Sequence, residues 1–173
     1  MIKYTNKYWK LLIPFIKKSL NKRYGKEYTK ELVEKADGKI SVNDLREICV
    51  GIMSMPVLKV VGLFINGNKK SGVRKFSKMI HKDAAWLDEH PEYKAASWDF
   101  NFDETKHDKG FYYHFTQCPL NNFARREGCL EVLPVMCDVD FLTAKLMHFK
   151  LHREHTLASG GKVCDYWYVG DKY

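Results

Sequence analysis

The hydrophobic period of this chain first changes at Pro91, and that change limits what its two parts can become. Before it, apolar residues recur at helical spacing. Trp9, Leu12, Ile13, Ile16 and Leu20 form one stripe with lysines opposite, and Pro14 marks a start or a kink. Tyr24-Gly25 reads as a stop, and a second helix is expected over residues 28–36, ending near Asp37-Gly38. Ser41 followed by Asp44 resembles a capping signal for a third helix through Leu45, Ile48 and Ile52. Pro56 restarts or kinks it, and Asn66-Gly67-Asn68 closes it. A further helix over residues 73–90 carries Phe76, Ile80 and Leu87.

After Pro91 the spacing is two. Trp98, Phe100 and Phe102 alternate with polar residues, Lys109-Gly110 supplies a turn, and Phe111, Tyr113 and Phe115 alternate again, the pattern of a half-buried hairpin. Pro119 suits the first turn of a helix and Gly128 its end. Residues 130–147 read as one helix or two short ones, with Pro134 at a start or bend. Residues 149–153 and 163–168 read as a second hairpin around Ser159-Gly160-Gly161. The expected fold class is α+β: an N-terminal helical layer packed on a small antiparallel sheet of about four strands. We expect a single domain over 1–173, helical to about 92, with 93–173 the α+β part that carries the Cys and Asp motifs.

Composition narrows the classes. An aromatic fraction of 14% excludes a disordered chain. The net charge of +8 is concentrated in the N-terminal half and lacks a tight basic run with interleaved aromatics, so we expect no nucleic-acid partner. The stretch from 48 to 65 is broken by Pro56 and Lys59, and the N-terminus interleaves lysines with its apolar residues. No membrane association, a cytoplasmic location and reduced thiols are therefore expected for the five cysteines. The oligomeric state is left open.

The reactive side chains gather between Cys118 and Asp165. Cys118 sits where the second strand gives way to a helix, and a thiol at a helix N-terminus gains from its dipole. Cys137 and Asp140 are three apart and share a helical face. Glu131, Asp138 and Asp140 flank Cys137 in an otherwise apolar run, so each needs a cation or a donor; Arg153, inside a strand, is the nearest candidate partner for an Asp. His152 and His155 differ in parity and are expected on opposite strand faces. Two chemistries fit. Cys118, Cys137 and Cys164 with Asp140 form a candidate site for a divalent metal (Zn, Mn or Fe), although no Cys-x-x-Cys knuckle is present. Alternatively Cys118 is a nucleophile with Asp140 or Glu131 as acid or base, and Arg153 and Thr156 bind substrate. Cys49 and Cys129 read as small buried hydrophobes.

The string Cys118, Gly128…Glu131…Pro134…Cys137-x-x-Asp140, Arg153…Thr156-Leu157-Ala158…Gly160-Gly161…Cys164-Asp165 resembles the L-2-amino-thiazoline-4-carboxylic acid hydrolase family over about residues 95–170. A common family form of the last motif ends Cys-Asp-Phe, where this chain has Tyr166. The resemblance implies a hydrolase that opens the ring of a small cyclic amidine-like substrate, giving an N-carbamoyl cysteine in the namesake activity. The alternative is a non-catalytic small-ligand or metal-binding sensor domain.

Overall fold

The computed structural model of the chain describes residues 14, 17–18, 20–22, 24–35, 42–103 and 105–173. They form two compact units, residues 1–58 and 59–173. In the first, a helical turn ends at Gly25, followed by α1 (Lys26–Lys35) and α2 (Val42–Met53). Leu20 is fully buried and packs with Tyr24 and Ile52. The Thr29 hydroxyl donates to the Gly25 carbonyl at 2.8 Å and so tethers the start of α1. The expectations for Trp9, Leu12, Ile13, Ile16, Ala36, Asp37-Gly38 and Ser41 lie outside the described residues.

A 3-10 turn, Pro56–Val60, precedes the short α3 (Val61–Phe64) and the long α4 (Lys70–Glu89) of the second unit. A 3-10 turn at Pro91–Ala96 leads into β1 (Phe100–Phe102) and β2 (Phe111–Phe115). Then come α5 (Pro119–Glu127), a 3-10 turn at Leu130–Val132, α6 (Leu133–Leu146), β3 (Phe149–His152) and β4 (Cys164–Gly170). The four strands form one antiparallel sheet in the order β1-β2-β4-β3. The α+β class and the four strands are as the alternation predicts, while β1 begins at Phe100 instead of Trp98, β3 stops at His152 and β4 runs on to Gly170. Trp98 precedes β1, because Asp99 turns its carboxylate onto the backbone N–H groups of Thr116 (2.8 Å) and Gln117 (2.5 Å). That bond also anchors the segment that ends in Cys118.

Period-two alternation decides the core. Phe111, Tyr113 and Phe115 of β2, Cys164, Tyr166 and Tyr168 of β4, and Phe149 and Leu151 of β3 share one buried face with Phe76 and Ile80 of α4 and with Ala144 and Met147. Tyr113 stacks on Tyr166 with centroids 5.0 Å apart. The other face presents Trp167, on which His107 stacks at 4.0 Å, and His152, 4.6 Å from the same ring. Gly110, at φ +87°, lets the hairpin pass close to β4: a Cβ there would lie 2.1 Å from the Tyr168 carbonyl oxygen. Among the described residues no single helix is long and apolar enough to cross a membrane.

Candidate active site

Three elements bring the sequence-predicted residues together on the buried face. Pro119 occupies the first turn of α5 and Gly128, at φ +67°, ends it, so Cys118 is the N-cap, in extended conformation. Sheet pairing sets Phe115 opposite Cys164, which brings the start of β4 beside the segment leading to Cys118. From the opposite side α6 supplies Cys137 and Asp140, one helical turn apart. Cys118, Cys137 and Cys164 lie close enough to act electrostatically on one another.

Asp140 is the hub. Arg153 Nη1 donates to Asp140 Oδ2 at 2.7 Å, and the Tyr166 hydroxyl donates to the same oxygen at 3.1 Å. Arg153 Nη2 donates to the Cys137 carbonyl at 2.5 Å. The guanidinium lies 4.6 Å from the Phe141 ring centroid and 5.1 Å from that of Tyr166. The pairing of Arg153 with a carboxylate, read from the sequence, is therefore made with Asp140. The Arg153 side chain is only 4% exposed and that of Asp140 37%, so the carboxylate is partly open to solvent and the guanidinium is not.

Burial dominates the electrostatics. It raises the Asp140 carboxyl above its ordinary value, and the Arg153 hydrogen bond and charge oppose that without cancelling it. Burial likewise pushes the Cys137 thiol up to about 11, against the pull of Arg153. Cys164 is raised for the same reason, although its sulfur accepts the Leu157 N–H at 3.2 Å. Both thiols are thus protonated at neutral pH. The Tyr166 hydroxyl is raised by burial and then by Asp140, so it stays a donor to that carboxylate.

The remaining predicted residues fall elsewhere. Glu131 is exposed on the 3-10 turn before α6. The Thr156 hydroxyl oxygen accepts the Ser159 N–H at 3.0 Å and caps the 3-10 turn Leu157–Ser159. His155 does not follow strand parity, because β3 ends at His152; its ring lies 3.8 Å from Asp165, on the row of β4 that also carries Trp167. Tyr166 was missed as a site residue. Its signal was parity, since it stands two residues from Cys164 on one strand and must share its face.

Two donor sets bear on metal binding. Around Cys118, Cys137, Cys164 and Asp140 the Arg153 guanidinium already engages both Asp140 and the Cys137 backbone, so a dication there would face that positive charge and this set suits it poorly. Among the described residues the ligand atoms that lie within 4.8 Å of one another belong to Glu154, His155 and Asp165. There Asp165 is buried and already accepts the backbone N–H groups of Glu154 (3.0 Å) and His155 (2.6 Å), which locks the chain leaving β3. Asp165→Ala is expected to lower the stability of this unit by about 2 kcal/mol, the scale of losing charge-assisted bonds to buried donors. A denaturant midpoint equal to that of the parent would show that the bolt is dispensable.

Compared with known proteins, the chain matches the family model described as L-2-amino-thiazoline-4-carboxylic acid hydrolase over residues 9–168. The match extends well before residue 95, where the motif resemblance begins, so the helical part belongs to it as well. No curated protein and no solved structure matches the chain.

Proposed function

The chain belongs to the L-2-amino-thiazoline-4-carboxylic acid hydrolase family, and on that premise we propose that it hydrolyses the ring of a small cyclic amidine-like substrate, with Asp140 as the general base. The observation that carries this reading is the state of Asp140. It is a reachable carboxylate whose Oδ2 takes both the Arg153 and the Tyr166 bonds, and whose proton affinity is raised by apolar surroundings. A base of that kind is better matched to neutral pH than an ordinary carboxylate.

In the reaction, Asp140 Oδ1 takes a proton from water as the oxygen adds to the ring carbon between nitrogen and sulfur. Collapse of the tetrahedral adduct to the carbonyl breaks the carbon–sulfur bond; of the two water protons, one ends on the ring nitrogen and the other is returned through Asp140 to the departing sulfur. Substrate plus one water gives the open carbamoyl thiol, with both nitrogens retained. Arg153 is a positioning residue here: it orients Asp140 from beneath and keeps the carboxyl from rising further. Cys118 at the start of α5 favours a second reading, in which its thiolate adds to the same carbon, the ring sulfur leaves, and water resolves the enzyme-bound adduct.

The test is release of free thiol from L-2-amino-thiazoline-4-carboxylate by the purified full chain, with and without a chelator. We expect turnover that EDTA leaves unchanged and that Cys118→Ser largely retains. Loss of all turnover in Cys118→Ser, with the fold intact, would transfer the assignment to the covalent route. Binding without any thiol release would make the domain a ligand sensor.

The pH profile gives an independent check. The base must be ionised, so the acid limb of kcat/KM is expected above the ordinary Asp value of 3.8. The Tyr166 hydroxyl stabilises the ionised form, so Tyr166→Phe is expected to move that limb further up. A limb that stays where it was in Tyr166→Phe would remove Asp140 as the titrating group.

A further inference from the structure

A cavity of about 970 Å³ opens in the second unit where the connection between β1 and β2, the first turn of α4 and the C-terminal residues meet. That volume is in the range of small-molecule sites. None of the groups around Asp140 lines it. Its walls carry five cationic side chains, Lys69, Lys70, Arg74, Lys109 and Lys150, against the two carboxylates Asp103 and Asp108. Asp103 is exposed and accepts the Thr105 N–H at 3.1 Å and its hydroxyl at 2.7 Å. None of the five cations is in an ion pair among the described residues. Five cations against two carboxylates leave an excess of positive charge that attracts a polyanion.

Two further features point the same way. The 20-residue helix α4 begins in this wall, with Lys69 as an N-cap that makes no side-chain capping bond, so the positive end of its dipole adds to the charge. Beside the cations the wall is apolar. Phe111 and Val169 line it, as does Trp167, whose indole N–H is already donated to the Lys109 carbonyl at 2.9 Å and whose ring is stacked with His107 at 4.0 Å. A ligand that satisfies both parts has an apolar or aromatic body and at least two negative charges. We propose that this cavity is a binding site for a small organic polyanion of the nucleoside-diphosphate class, separate from the site around Asp140.

The experiment is calorimetric titration of the full chain at fixed salt with ADP, pyrophosphate and adenosine. Arg74→Glu/Lys150→Glu is the cleft variant, both positions being exposed, and Lys78→Glu/Lys82→Glu is a control of equal charge change on the same helix outside the cavity. We expect ADP to bind at least about tenfold more tightly than adenosine, and the cleft variant to weaken ADP by about tenfold or more while the control changes it little. Pyrophosphate binding with the same variant dependence would support the anionic part of the site. The proposal is overturned if neither ADP nor pyrophosphate binds, if adenosine matches ADP, or if the control weakens binding as much as the cleft variant.

Discussion

Asp140→Asn is expected to lower ring-opening turnover by about 10²- to 10⁴-fold, the usual contribution of a positioned general base. The side chain keeps its shape and an oxygen that can accept from Arg153 and Tyr166, but the buried guanidinium loses its counter-charge, so activity is compared per folded molecule. The lost property is the capacity to take a proton. The fall is therefore expected in kcat, with KM changed only a few-fold, because the carboxylate touches the attacking water and not the body of the substrate. The measurement is steady-state kinetics beside a circular-dichroism melt of the same preparation. Unchanged activity per folded molecule would reduce Asp140 to the structural partner of Arg153, whose buried guanidinium needs an anion in any case.

The largest expected stability effect lies in the core that holds this site. Phe149 is 2% exposed and packs on Phe76 (5.2 Å between centroids) and edge-on to Tyr168 (5.7 Å). Its ring also fills the space above Gly67, where a Cβ would lie 2.4 Å from Phe149 Cδ1. Phe149→Ala opens a cavity that the rigid sheet cannot close, at a cost of about 3–5 kcal/mol. Set against a typical stability of about 5–15 kcal/mol, that brings the sheet near its unfolding midpoint. Because β3 runs directly into Arg153, activity should fall with the folded fraction, and saturating substrate should restore part of it. Urea unfolding followed by far-ultraviolet dichroism measures the loss; a midpoint within error of the parent would mean that the neighbouring rings reclose over the gap.

Much of this architecture is local and therefore legible in the sequence. Helical spacing before Pro91 and alternation after it predict α4 and both hairpins, because burial of one face imposes its period on the residues. Pro119 and Gly128 bound α5 as turn chemistry requires, since proline lacks the donor that a first turn leaves unused and glycine accepts φ +67°. The Cys118-to-Asp165 string marks the family and the region of the proposed site. Where local rules stop, the reading failed. His155 left its predicted face because β3 ends three residues earlier, and the turn that Thr156 caps was not read from the sequence.

What the sequence by itself determined is which residues form each element, which face of each is apolar, and which reactive side chains lie within one motif. Only the tertiary structure decided that β4 inserts between β2 and β3, which brings Cys164 and Tyr166 beneath Asp140, and that Arg153 is buried under Asp140 instead of open to a ligand. It alone decided that Cys137 is raised to about 11 while Asp140 remains reachable. The reason is physical. A helix or strand is specified by interactions between residues a few positions apart, whereas a proton affinity depends on every group that excludes water from one atom, and those groups come from segments far apart in the chain.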